Sequence, residues 1–220
     1  MALTVVKCGG AALASAPFEL ERFVEPRSGA VVVHGAGHRI SAALTAAGIR
    51  SAFVEGRRVT TIDALPLIRE AFRRENRELC RQIGPSAIGL MGDELGLEAD
   101  RVPGLGEAGM LRPEIPARLH ALLSTDAVPV IAPLARGPLN VNADDAAATL
   151  AVALGADRLV FVSDVPGVLV GGAVVSQLSE DDIGLLDEEL TGGIVPKLQA
   201  ALVAARHGVR VDVGETAVVA

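Results

Sequence analysis

Two short runs of aliphatic and β-branched residues end in glycine turns. Residues 3–6 pass through Lys7 and Cys8 into Gly9-Gly10, and residues 30–33 pass through His34 into Gly35-Ala36-Gly37. An unbroken apolar run closed by glycine reads as a strand buried on both faces of a parallel sheet. The alanine-rich stretch 40–47 after the second turn reads as the helix that leaves it. The same alternation continues along the chain, with strands expected at 87–90, 128–132, 158–162 and 209–213. Helices are expected over the pattern reaching Ala71 and Leu79 and at 119–123, 146–154 and 199–206. Pro129 favours a strand start or an edge. The glycine- and proline-rich region 92–116 reads as turns or a small hairpin, and 135–139 as the turn between two lobes, 1–134 and 135–220. Repeated strand–helix alternation predicts an α/β fold on a central parallel sheet.

A chain of 220 residues can bury a sizeable core and is expected to form one domain with two functional halves. Half of its residues are apolar, which excludes a disordered chain. A formal charge of −7 disfavours a broad nucleic-acid surface but leaves room for a local anion site. Cys8 and Cys80 provide neither a disulfide framework nor metal-ligand spacing. No apolar segment reaches the ~20 residues of a membrane helix. The start of the chain lacks the pattern of a secretory signal, so a cytoplasmic protein is expected. With no Trp or Tyr, recognition cannot rest on an indole platform.

The chemistry concentrates in three places. Lys7 stands at a strand end beside Gly9 and Gly10, and Lys197 follows Gly192-Gly193-Ile194-Val195-Pro196. Between them lies Asn140-Val141-Asn142-Ala143-Asp144-Asp145, just ahead of an apolar helix. Two lysines on opposite sides of a transferring phosphoryl group can stabilise its oxygens, and glycines let the backbone approach closely. The turn Gly35-Ala36-Gly37 can offer N–H groups at a helix N-terminus. Asp144 can orient both lysines, while Asn140 and Asn142 can present amide donors to substrate oxygens or cap a helix. Arg58 can clamp a carboxylate, with Arg57 as its solvent-facing neighbour. His34 either contacts phosphate or shapes the turn. Asp164, before a Pro-Gly turn, can contact a nucleotide or its magnesium. Neither the P-loop pattern nor the dinucleotide fingerprint is present.

The ordered set KCGG, VVVHGAG, GRRVT, NVNADDAA, SDVPGV and GGIVPK, spread over nearly the whole chain, resembles the N-acetylglutamate kinases of the amino-acid kinase family. The resemblance implies an αβα sandwich around a mainly parallel eight-stranded sheet. It implies ATP-dependent phosphorylation of the γ-carboxylate of N-acetyl-L-glutamate, with Mg²⁺, in arginine biosynthesis. Lys7, Asp144 and Lys197 become the catalytic set, and Lys7, Asp164 and Lys197 the nucleotide contacts. Arg58, Asn140 and Asn142 become substrate contacts, while Gly9, Gly10, Gly35, Ala36 and Gly37 line the phosphate path. A homodimer is implied as well, and no protein-held metal.

The chain departs from the family pattern at three residues and at its end. Ala36 stands where a third glycine is common, so the turn must accommodate a Cβ there. Thr61 stands where aspartate is common, and His38 where proline is common. Residues 211–220 join the last strands without the longer helical segment of many relatives, which bears on how adenine is enclosed. A related kinase for another N-blocked acidic amino acid, such as carrier-linked aminoadipate or glutamate, is the alternative acceptor reading. A nucleotide or amino-acid sensor with weak turnover is the alternative outside catalysis.

Overall fold

The computed structural model describes residues 2–9, 29–162, 165–186 and 193–220. In chain order these form β1 (Leu3–Cys8), β2 (Gly29–His34), α1 (Gly37–Ala46), β3 (Phe53–Val54), β4 (Arg57–Arg58), α2 (Leu65–Ile83), β5 (Ala87–Met91) and α3 (Gly92–Leu95). Next come β6 (Ala99–Arg101), β7 (Ala108–Leu111), α4 (Ala117–Leu123), β8 (Val128–Ala132), β9 (Leu134–Ala135), β10 (Leu139–Val141), α5 (Ala143–Ala153) and β11 (Arg158–Val162). The chain ends with β12 (Leu169–Val170), β13 (Ala173–Val174), β14 (Gln177–Ser179), α6 (Glu180–Leu185), α7 (Ile194–Arg206), β15 (Arg210–Val213) and β16 (Thr216–Val219).

The expected eight-stranded sheet forms in the order β14-β16-β15-β11-β1-β2-β8-β5. From β15 to β5 all neighbours are parallel, as the run of strand–helix units requires. The pairing of β15 with β16 is antiparallel, and β14 runs with β16. The reversal comes from the two-residue turn Gly214-Glu215, where Gly214 has φ +57.

Alternation along each strand divides the core between the two faces. Val5, Val31, Val33, Leu159 and Phe161 point to one face and pack with Ala147, Leu150 and Ala151 of α5 and Leu198 and Ala201 of α7. Val6, Cys8, Val32, Val160 and Val162 point to the other, with Val130 and with Leu79 of α2. Both faces are thus dry over the strand centres, which is why these strands read as continuous apolar runs. On α2, Leu65, Ile68, Ala71, Phe72, Asn76 and Leu79 are buried at helical spacing, leaving its arginines and most glutamates outside.

The expected elements differ from the observed ones in a few places. Region 92–116 holds the expected small hairpin, β6–β7, but also α3, and the hairpin belongs to a second sheet ordered β6-β7-β10-β9. Residues 135–139 form the turn of the β9–β10 hairpin. Pro129 lies in an interior strand, but the register of β8 with β2 begins only at Val130, so the missing N–H falls outside that ladder. Helices α5 and α7 start at Ala143 and Ile194, earlier than expected. Asn142 caps the first, and Pro196 is tolerated in the opening turn of the second. Among the described residues, no helix is long and apolar enough to cross a membrane.

Candidate active site

The carboxyl ends of the parallel strands and the turns beyond them converge on one region, where ligands of open α/β sheets bind. Strand β1 delivers Lys7 on the α5 side of the sheet, and α7 delivers Lys197 from its first turn. Their ammonium groups meet the same Asp144 oxygen: Lys7 Nζ lies 2.9 Å and Lys197 Nζ 3.2 Å from Oδ1. Asp144 sits in the electropositive first turn of α5, where Asn142 Oδ1 accepts from the N–H groups of Asp144 (2.7 Å) and Asp145 (3.2 Å). Lys197 also lies 5.3 Å from the centroid of the Phe161 ring, on the strand paired with β1 at Lys7↔Phe161. One carboxylate thereby holds two cations at a strand-end floor, as the sequence predicts for Lys7, Asp144 and Lys197.

The electrostatics follow from burial. Desolvation alone would raise the Asp144 carboxyl, but the two ammonium groups outweigh it and hold the group below the ordinary carboxylate range. Desolvation and repulsion from Lys7 bring Lys197 down to about 8, against the opposing pull of Asp144. This lysine titrates near the working range, with a defined sign: as pH rises through about 8 it loses charge, and anion affinity falls. We expect pyrophosphate or nucleotide affinity, measured by calorimetry, to weaken about tenfold or more between pH 7 and 9.5. Lys197→Arg should move that loss to higher pH. The unfolded chain binds more protons than the folded one between about 8 and 10.5, so this lysine's contribution makes the fold more stable as pH rises over that window.

Two cavities meet at this floor. One, of about 320 Å³, is lined by Lys7, Gly9, Arg57, Arg58, Asn140 and Asp144, together with the Gly35–His38 turn. The other, of about 340 Å³, runs past Gly193 and Pro196, and both share Phe53, Gly56, Asn142 and Asp144. Lys7 and Lys197 pair with Asp144 and Arg57 with Asp145, while Arg58 stands at the cavity wall, so four cationic side chains accompany two carboxylates. In a chain of charge −7 this is a local anion trap.

Arg58 is only 7% exposed and has no acidic partner among the described residues. It donates to Ser51 Oγ, to Ser41 Oγ at 3.0 Å and to the Gly37 carbonyl at 3.5 Å, and it stacks 4.4 Å from the Phe53 centroid. Burial lowers its pKa from the ordinary guanidinium value. A buried guanidinium held by neutral groups at a cavity wall is suited to a ligand carboxylate.

Other expected contacts are distributed differently. Asn142 is the α5 cap, and its Nδ2 donates to the Gly56 carbonyl at 2.7 Å, so its amide already serves the protein at both ends. Asn140 Nδ2 donates to Thr60 Oγ1 at 3.0 Å, and Thr60 Oγ1 to the Arg58 carbonyl at 2.9 Å; Asn140 thus braces the segment carrying Arg58 while lining the cavity. The Gly35 N–H is taken by the Cys8 carbonyl at 2.9 Å, so the first donors aimed at the cavity belong to the uncapped start of α1. Ala36 has φ −139, outside the left-handed region that favours glycine, and it is buried in one apolar cluster with Ile40, Leu44 and Ile68. Gly10, Asp164 and Gly192 lie outside the described residues.

His34 turns to the opposite face of the sheet. Its Nε2 lies 3.0 Å from Asn76 Nδ2, which also donates to the Val130 carbonyl at 2.8 Å. Burial lowers its pKa to about 4, so it is a neutral structural residue. Cys8, on the same face, has its thiol pushed up to about 12 by burial and takes no part in the cluster. Arg57 is not the solvent-facing neighbour expected. Its Nε lies 2.9 Å from Asp145 Oδ2 and its side chain is 20% exposed. Arg57, Phe161 and Gly56 are the residues that sequence reasoning missed. Only the parallel pairing of residues 158–162 with β1 places Phe161 beside Lys7.

Among the described residues no group of three or more His, Cys, Asp or Glu side chains converges as a metal cage. The cationic side chains at the floor fit phosphate oxygens.

Residues 2–214 match the model of the amino acid kinase family. The chain is 39% identical to an acetylglutamate kinase of Roseiflexus castenholzii over 94% of its own length and 86% of that protein's. It is 40% identical to an acetylglutamate kinase of Rubrobacter xylanophilus, over 95% and 87%. Among solved structures it resembles smu.665 from Streptococcus mutans UA159, with 26% identity, a TM-score of 0.86, and coverage of 99% of this chain and 98% of that one.

Proposed function

The chain belongs to the amino acid kinase family, and on that premise we propose that it phosphorylates the γ-carboxylate of N-acetyl-L-glutamate with ATP, giving ADP and N-acetylglutamyl 5-phosphate for arginine biosynthesis. The observation that carries this reading is the convergence of Lys7 and Lys197 on one oxygen of Asp144 where two cavities meet. One cavity takes the acceptor and the other the triphosphate, with the reacting groups over the lysine floor. The first 134 residues supply most of the acceptor wall, and the rest the nucleotide side.

Arg58 holds the α-carboxylate of the acceptor and so directs its γ-carboxylate toward Lys7. That carboxylate already carries the attacking oxygen pair, so no general base is required, and neither His34 nor Cys8 is placed to act as one. Lys7 and Lys197 spread the charge that develops on the phosphoryl oxygens and the departing ADP, while Asp144 fixes both. The free N–H groups at the start of α1 add neutral donors on the acceptor side. Mg²⁺ carried by ATP would neutralise phosphate oxygens between the two lysines. Asp164 is proposed as a contact to the nucleotide. The working form is proposed to be a cytoplasmic homodimer.

Replacing Arg58 with methionine should raise the acceptor KM about 30- to 100-fold, with a smaller effect on the ATP KM, because a charge-assisted pair to a carboxylate is removed. Steady-state kinetics on both substrates measures the split. The acceptor assignment is tested by comparing N-acetyl-L-glutamate with N-acetyl-L-aspartate and N-acetyl-L-aminoadipate. Preference for the last would move the reading to a longer N-blocked acceptor. Nucleotide binding without turnover of any of them would favour a sensor.

A further inference from the structure

We propose that the Arg57–Asp145 ion pair latches the β3–β4 hairpin over the acceptor cavity, which makes Arg57 and Asp145 positioning residues for the acceptor. This rests on the carboxylate-kinase reading above. The hairpin has two residues per strand, paired Phe53↔Arg58 and Val54↔Arg57. A ladder of that length has no stability of its own. Nor does it bury an apolar face, since Phe53 and Val54 are 57% and 48% exposed. Its turn is unfavourable as well: Glu55 has φ +48 and Gly56 φ +74, and a glutamate in the left-handed region costs energy that Asn or Gly would not.

The hairpin therefore owes its position to contacts with the elements beneath it. Asn142 Nδ2 donates to the Gly56 carbonyl at 2.7 Å. Gly56 packs so closely on Pro196 that an added Cβ would collide with its ring. Arg57 approaches Asp145 at 2.9 Å, with its N–H out of line with the oxygen, so the contact is mainly a charge pair. The other partners of Arg57 are weaker, the exposed Glu55 at 3.6 Å and Met110 Sδ at 4.0 Å. One hairpin end is thus tied to the α5 turn that carries Asp144, and its tip rests on the α7 turn that carries Lys197. Phe53, Gly56, Arg57 and Arg58 all line the acceptor cavity, so displacement of the hairpin would reshape that wall. The pair has a second consequence. It supplies a counter-charge to Asp145, a carboxyl that burial pushes above its ordinary range.

The test uses Arg57→Met, Asp145→Asn and the double variant of the whole chain, with two readouts. Each single change is expected to raise the acceptor KM about tenfold while kcat and the ATP KM stay within about threefold, and the double variant to be no worse than the poorer single. Amide hydrogen exchange over residues 53–58 should accelerate about tenfold in all three, with α5 unchanged. Multiplying KM effects, an unchanged acceptor KM, or unchanged exchange in 53–58 would overturn the latch. If the wild-type protein phosphorylates no N-acylated acidic amino acid, the functional reading fails, and the exchange measurement still decides whether the pair holds the hairpin.

Discussion

Lys7→Met will lower kcat by about 10²- to 10³-fold with little change in fold, the loss expected when one preorganised donor to a developing oxyanion is removed. Lys7 is only 7% exposed, at the carboxyl end of the central strand β1. No neighbour can take over its task, because Lys197 already occupies its own side of the same Asp144 oxygen. Methionine keeps most of the apolar stem, and Asp144 keeps Lys197 as a partner, so the melting temperature should fall by only a few degrees. Lys7→Arg should not restore the rate, since a planar fork is too large for a point charge seated between two strands. Steady-state kinetics paired with thermal melts checks both parts. A kcat within tenfold of wild type would remove Lys7 from the chemistry.

Asp144→Asn is expected to be as damaging to turnover and more damaging to stability. The carboxylate is the shared partner of two buried ammonium groups, and its removal leaves like charges facing each other. Breaking a buried ion pair typically costs about 3–5 kcal/mol, and here the low end applies because Lys197 can shed its proton. In the wild-type protein the pull of Asp144 opposes the burial that brings Lys197 to about 8. Without it the pKa falls further, so the lysine gives up its proton at lower pH than in the wild type and the nucleotide side becomes less cationic. The sign of the pH effect follows. The unfolded variant binds the proton that the folded one lacks, so its stability deficit shrinks as pH rises from 7 toward 9. Denaturant melts at the two pH values measure this, and a deficit that grows with pH would contradict it.

The strand–turn–helix units and the lysine–aspartate–lysine set were legible because they rest on local pattern: apolar runs, glycine turns and a polar cluster at a helix start. Even Ala36 fits, since its φ is negative and does not require glycine. What sequence reasoning missed depends on orientation and register. Arg57 and Arg58 are adjacent, and only the folded hairpin places one against Asp145 and the other against the serines. Phe161 reaches the lysines through parallel pairing with β1, which no local feature encodes. Asn142 has two readings, amide donor or helix cap; the early start of α5 shows the cap, and the side chain also lines both cavities. The reversed edge strands depend on one two-residue turn near the end of the chain.

The most direct measurement is the trapping of an acyl phosphate. The protein would be incubated with ATP, Mg²⁺ and N-acetyl-L-glutamate in the presence of hydroxylamine, and hydroxamate quantified against ADP. Equal amounts of the two, abolished when either substrate is omitted and reduced at least a hundredfold in Lys7→Met, are what the geometry predicts. ADP without hydroxamate, or hydroxamate at undiminished rate in that variant, would contradict phosphoryl transfer to a carboxylate over the Lys7–Asp144–Lys197 floor.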